Sequence, residues 1–222
     1  METRLIGDMH CAGPWPTLMT ENCIQIGDLC LLDYNKYVYE DGKPRYFIDG
    51  NHDYFPALNP DAEKPYRVTK DLVYIPRGYV SGNVLFVGGA DCVPWDRQGR
   101  TPGWDWFPEE TLNQGQLERI LAIDEYENDI EVVIAHECPF FLIQHVLNFA
   151  KGGGNVYNLQ TPKHLEMIYN KFQPRYWYFG HYHCDFEATI MAMGNFCTFK
   201  CINTHRAVDI ELPLAEDFFE LF

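Results

Sequence analysis

The sequence predicts an α/β protein in which short parallel strands carry polar ligands at their carboxyl ends. Three observations lead there. Short apolar runs recur along the chain, each stops at a polar cluster opened by a small residue, and helical spacing is confined to three stretches. Continuous apolar runs of about four to six residues suit central strands covered on both faces. In a layered α/β sheet, the carboxyl ends of such strands are where a site is expected.

In chain order, Arg4-Leu5-Ile6 leads into Gly7-Asp8-Met9-His10, and Cys23-Ile24-Gln25-Ile26 leads into Gly27-Asp28. Tyr46-Phe47-Ile48 precedes Gly50-Asn51-His52-Asp53. Two further strands are expected at Leu72 to Ile75 and at Val84 to Val87, the latter followed by Gly88-Gly89. A loop dense in aromatic residues and glycine covers 94–108. Leu112, Leu117, Ile120, Leu121 and Ile123 then predict a helix over Glu109 to Tyr126, with Pro108 as its start signal.

Val132-Val133-Ile134 runs into Ala135-His136-Glu137, followed by a helix expected over Phe140 to Phe149. Another is expected over Pro162 to Phe172, with Thr161 as N-cap and the proline at the first helical position. Tyr176-Trp177-Tyr178-Phe179 precedes Gly180-His181-Tyr182-His183. The tail reads as a β meander over 189–193, 196–202 and 207–212, with Gly194-Asn195 as the first turn. No repeat or linker divides the chain, so a single domain over 1–222 is expected.

Composition narrows the function. Hydrophobic residues make up 46% and aromatics 15%, which excludes a disordered chain. With 32 acidic and 17 basic side chains the net charge is −15, a field that disfavours extended nucleic acid. Bound divalent cations would invert that sign locally, so a small phosphorylated substrate stays compatible. None of the eight cysteines forms a Cys-x-x-Cys pair, no secretory signal is evident, and no apolar run approaches the ~18 residues of a membrane helix. A reduced, cytoplasmic setting without membrane association is expected, and self-association is left open. The cysteines read as small buried hydrophobes, although Cys11, Cys30, Cys138 and Cys184 lie within two residues of the polar clusters.

The five clusters together offer carboxylate, amide and imidazole donors, which suit borderline-hard divalent metals such as Mn, Fe or Zn. No single cluster closes a site, whereas five strand ends can supply two adjacent ones. Asp8 and His10 flank Met9, and His181 and His183 flank Tyr182, so each pair can face one metal. Two metals about 3.5–4 Å apart generate hydroxide at neutral pH and neutralise phosphoryl oxygens. Holding them so close takes a shared carboxylate, for which Asp28 is the candidate. In the loop over 94–108, Arg97 or Arg100 can reach a bound phosphate while the Trp side chains wall the cleft; the competing reading is a packed surface loop.

The order Asp-x-His, Gly-Asp, Gly-Asn-His-Asp, His and Gly-His-x-His, from Gly7 to His183, resembles the calcineurin-like metallophosphoesterase superfamily. The resemblance implies a four-layer αββα sandwich of two mixed sheets with a dinuclear metal site at their edge. It implies one metal on Asp8, His10, Asp28 and His183, and the other on Asp28, Asn51, His136 and His181. The implied cofactors are two divalent ions, Mn first, with Fe, Zn, Ni or Mg as alternatives. His52 is implied as the catalytic general acid, and Asp53 as the residue that orients it. The implied reaction is hydrolysis of a phosphomonoester or phosphodiester by a metal-bridging hydroxide. A catalytically silent scaffold of the same fold and a nuclease are the alternatives.

Two departures matter. Leu31 and Leu32 stand where the protein Ser/Thr phosphatase branch carries Asp and Arg, which disfavours a phosphoprotein phosphatase. Only 17 residues separate His10 from Asp28, with Pro14 and Pro16 among them, so no full crossover helix fits and an open site is expected on that side. The stretch from Gly88 to Glu110 is similar to small bacterial and phage-type members. His145, His164 and His205 read as helix or loop residues, with a place for His205 at the substrate edge.

Overall fold

In a computed structural model the described residues are 1–10, 15–30, 41–92, 98–125, 128–150, 159–192 and 194–222. Their strands form two six-stranded sheets. The first contains β1 (Glu2–Ile6), β2 (Cys23–Ile26), β3 (Arg45–Ile48), β4 (Tyr66–Arg67), β5 (Leu72–Tyr74) and β12 (Ala207–Glu211), ordered β12-β1-β2-β3-β5-β4. The second contains β6 (Val80–Ser81), β7 (Val84–Val87), β8 (Val132–Ala135), β9 (Tyr176–Phe179), β10 (Phe186–Ala192) and β11 (Asn195–Cys201), ordered β10-β11-β9-β8-β7-β6. Each sheet has four parallel strands at its centre and an antiparallel strand at either edge. Parallel neighbours end on the same side, so the carboxyl ends of β1, β2 and β3, and of β8 and β9, form two short rows.

Side-chain alternation along these strands builds three packed layers. Leu5, Ile24, Ile26 and Ile48 meet Val84, Phe86, Val132 and Ile134 between the sheets. The other face of the second sheet, including Trp177 and Phe199, is covered by α2 (Gln114–Leu121), α3 (Ile143–Ala150) and α4 (Thr161–Phe172). The outer face of the first sheet buries Cys23, Phe47 and Tyr74 beneath Met19, Leu29 and Leu58. Its described helical cover is α1 (Trp15–Leu18), four residues long, as the proline-containing spacer led one to expect. The result is the expected αββα sandwich, with most of its described helix on one side.

Three element expectations are corrected. The tail is not one meander: β10 and β11 form a hairpin in the second sheet, and β12 crosses to pair with β1 in the first. The crossing brings Arg206 O to Gly7 N, a bond that a continuing hairpin would forfeit. The helix expected over 109–126 is α2 alone, preceded by a 3-10 turn at Pro108–Glu110. Arg77 draws off the carbonyls of Glu109, Glu110 and Thr111, and Asn113 caps α2 by accepting from Gln116 N at 3.0 Å. At α4, Thr161 is the first helical residue, not the cap; its hydroxyl accepts from Leu112 N, and Asp91 accepts from Thr161 N at 2.6 Å. Among the described residues no helix is long and apolar enough to cross a membrane. Cys23, Cys138, Cys184, Cys197 and Cys201 form no disulfide.

Candidate metal centre

The five polar clusters converge where the two rows of strand ends meet. Asp8 follows β1, Asp28 follows β2 and Asn51 follows β3, all fully or almost fully buried. His136 follows β8, and His181 and His183 follow β9. The three oxygen donors thus follow strands of the first sheet, and the four imidazoles are His10, which also follows β1, and His136, His181 and His183, which follow strands of the second. Asp8, His10, Asp28 and His183 present ligand atoms within 4.8 Å of one another, and so do Asp28, His136 and His181. Asp28 belongs to both sets.

The backbone is bent to make this possible. His10, Asp28, His181 and His183 have φ of 45°, 58°, 66° and 49°, in the left-handed region that L side chains avoid. Such residues cost about 1–3 kcal/mol each and persist where the surroundings over-determine them. The surroundings here are close. Gly27 has φ +99°, and a Cβ there would fall on the His136 ring; a Cβ at Gly180 would fall on an Asp8 carboxylate oxygen. The Asp8 carboxylate in turn accepts from His181 N at 3.0 and 3.1 Å, a tie from one sheet to the other.

Imidazole orientation is set by carbonyls and carboxylates. Because a carbonyl only accepts, His136 Nδ1 is protonated and donates to Ile26 O at 2.8 Å, so Nε2 is the ring nitrogen left to face a metal. That Nε2 is buried 3.3 Å from Asp28 Oδ2. His10 Nε2 and His183 Nε2 converge to 2.8 Å, with His183 also 3.1 Å from Asp8 Oδ2. His181 Nε2 lies 3.2 Å from Glu137 Oε2, an outer carboxylate of the kind that fixes a ligating histidine. Tyr182 and the Cys138 backbone donate to the other oxygen of Glu137.

The electrostatics favour a cation. Burial opposes charge on the His136 ring, yet Asp28 and Asp8 outweigh it and raise the imidazole to about 10. Burial raises the Asp28 carboxyl, but His136 foremost, then His52 and His10, hold it well below the usual range. Burial, with His136 next, lowers His181 to about 3. Burial, then the Asp28 charge, pushes Asp53 up to about 7. The decisive observation is at Asn51, whose Oδ1 is buried with no hydrogen-bond partner among the described residues. A buried amide oxygen without a donor is costly unless a cation completes it. The donor set therefore fits divalent metal.

The family model for calcineurin-like phosphoesterases matches residues 3–185. The chain belongs to that family. A comparison with curated proteins gave no match. Membership carries the general chemistry of the family, metal-dependent hydrolysis at phosphate esters, and a dinuclear divalent-metal centre. The Asp and His clusters that can hold such metals are the ones just described.

The remaining expected site residues fall in three places. His52 stands half-buried at the mouth, its ring 5.0 Å from that of His10, while its backbone N donates to Asp28 Oδ1 at 2.7 Å. Asp53, expected to orient the His52 ring, gives both carboxylate oxygens to backbone donors: Asp28 N at 3.0 Å, Gly50 N at 2.8 Å and Cys30 N at 2.7 Å. It ties the second and third ligand loops together. Arg100, expected at a bound phosphate, is only 7% exposed and is ion-paired to Glu110 instead, because that buried carboxylate needs a partner. Arg97, Trp95, Leu31, Leu32 and Cys11 lie outside the described residues.

Sequence reasoning missed three contributors. Glu137 was visible beside His136 but not its bonds to Tyr182 and Cys138. Asp49, just before Gly50, pairs with Arg77 at 2.5 Å, both fully buried. His205 clasps the first ligand loop: its N donates to Asp8 O and its Nε2 to Met9 O, each at 3.0 Å. That bond faces the backbone and gives His205 a structural use at the site's rim. Of the other histidines, His164 donates from Nδ1 to Leu112 O, and His145 is exposed on α3.

Proposed function

We propose that the protein hydrolyses a phosphate ester of a small compound, using two divalent cations, Mn first, held by Asp8, His10, Asp28 and His183 and by Asp28, Asn51, His136 and His181. The observation that carries this reading is the pair of donor sets sharing Asp28, with a buried oxygen unpartnered among the described residues on Asn51, whose neighbour His52 donates from its backbone N to Asp28. When bound, the metals supply a water acidified to near-neutral pH as nucleophile and a positive field for the phosphoryl oxygens. The chain's own residues do the rest. His52, half-buried at the mouth, delivers a proton to the departing alkoxide oxygen. Asp28 orients the 52 backbone through its Oδ1, and Asp53 fixes the loops that carry Asp28 and Asn51. No nucleophilic side chain is required, so no phosphoenzyme forms. The net charge of −15 supports a small substrate over extended nucleic acid, and a setting in the cytoplasm is part of the same reading.

Turnover of chromogenic phosphomonoester and phosphodiester substrates with added Mn tests it. His52→Ala should lower kcat by roughly 10²–10⁴-fold while Mn uptake stays at the wild-type level. His145→Ala, on the exposed face of α3, should match wild type. A protein that binds no divalent metal and turns over neither substrate would sink the proposal.

A further inference from the structure

One peptide group in the site is gripped from both ends. The carbonyl of Asn51 accepts from Arg100 Nη2 at 2.7 Å, and the amide N–H of the same peptide, on His52, donates to Asp28 Oδ1 at 2.7 Å. A cation therefore sits at the oxygen end of the peptide dipole and a carboxylate at its nitrogen end. Both charge-assisted bonds strengthen each other through the peptide, and together they fix its plane.

Arg100 is itself immobilised. Glu110, 1% exposed, accepts from Arg100 Nη2 at 2.5 Å and from Nη1 at 3.2 Å, a two-pronged carboxylate contact. Glu110 Oε1 also accepts from Phe107 N at 3.0 Å, and Arg100 Nε donates to Asp105 O at 2.7 Å. The guanidinium has donors spent on Glu110, Asp105 and Asn51, which is the arrangement of a brace. A phosphate clamp would present its fork to the cleft.

We infer that Arg100, seated by Glu110, is a positioning residue that sets the 51–52 peptide and through it Asn51, His52 and Asp28. This rests on the phosphoesterase reading of the site. Asn51 is the only amide donor assigned to the second metal, and an amide oxygen binds weakly unless pre-aimed, so the second metal is the one that should loosen when the brace goes.

The experiment is a Mn titration, read by the electron paramagnetic resonance of free Mn and by calorimetry without substrate. It compares wild type, Arg100→Gln, Arg100→Lys, Glu110→Gln and the exposed-pair control Arg119→Gln. Arg100→Gln and Glu110→Gln should weaken the looser of two Mn by roughly 10–100-fold and leave the tighter one near wild type. Kinetically, kcat should fall while KM for a phosphomonoester moves by less than about threefold, and excess Mn should restore much of the rate. Arg100→Lys keeps the charge and one donor and should fall between wild type and Arg100→Gln.

Wild-type Mn affinities in Arg100→Gln, with or without a lowered melting temperature, overturn the inference. So does a raised KM at unchanged Mn affinity, which would make Arg100 a substrate contact. If Arg100→Gln does not fold by circular dichroism, Arg100→Lys and Glu110→Gln decide by the same criteria. A wild type that takes up no Mn defeats the phosphoesterase reading itself, an outcome distinct from two bound Mn that ignore Arg100.

Discussion

The two sheets share a plan and divide the labour of the site. Each has six strands with four parallel ones at the centre. Yet the first contributes Asp8, Asp28 and Asn51, while the second contributes His136, His181 and His183. The anionic and amide oxygens lie on one side of the seam together with His10, and the other three imidazoles lie across it. The sheets also differ in cover, with α2, α3 and α4 against the second and only short α1 and loops described against the first. The lesson is that the centre is an interface between two layers, and its donors become a site only when those layers are docked in register.

Breaking the shared donor should have the largest effect. Asp28→Ala removes a member of both sets, and kcat/KM should fall by about 10⁴-fold or more, with Mn stoichiometry below two in a direct titration. Retention of two tight Mn would refute the division of donors. Next comes the better-covered sheet. Trp177→Ala, fully buried beneath the helices, should cost about 3–5 kcal/mol in a urea melt. Leu58→Ala, 9% exposed over the first sheet, should cost about 2 kcal/mol, at the lower end for such truncations.

Metal should then act as a cross-seam fastener. At a hundredfold excess over Kd, Mn should stabilise the fold by about 2.7 kcal/mol per site, read as a raised Tm that a chelator reverses. An unchanged Tm would mean that the layers do not gain from sharing a ligand.

The smallest effect lies away from the seam, at the start of β3. Arg45, 4% exposed, donates to both carboxylate oxygens of Asp41 and holds that carboxyl well below the usual range. A depressed carboxyl contributes stability above its unfolded value and loses it as pH falls. The Tm gap between wild type and Asp41→Asn should therefore be full at pH 7 and begin to shrink only as pH falls below about 4, where the unfolded carboxyl starts to protonate. A gap that widens on acidification would contradict the ion pair.

Much of this was legible in the chain because it is locally encoded. The apolar runs before Gly7, Gly27, Gly50, His136 and Gly180 are the strands, and their clusters do meet. What escaped depends on partners far apart in sequence. Nothing around Arg100 announces Glu110 and the Asn51 carbonyl as its partners, and isolated Arg residues in a cleft loop read naturally as phosphate ligands. Arg77 shortened α2 by taking three carbonyls from a segment whose apolar spacing alone would have continued the helix. Likewise the apolar pattern of 207–211 says strand, but not which sheet.

That last point bears on how the protein is made. β12 lies beside β1, with Glu2 opposite Glu211, so β1 waits for a strand synthesised long after it. Until then β1 offers an unpaired edge, and a nascent chain on the ribosome carries a template for wrong pairing. The same late segment brings His205 to the carbonyls of Asp8 and Met9. The first ligand loop is thus finished only after translation has passed residue 205, and premature termination upstream leaves it without its clasp.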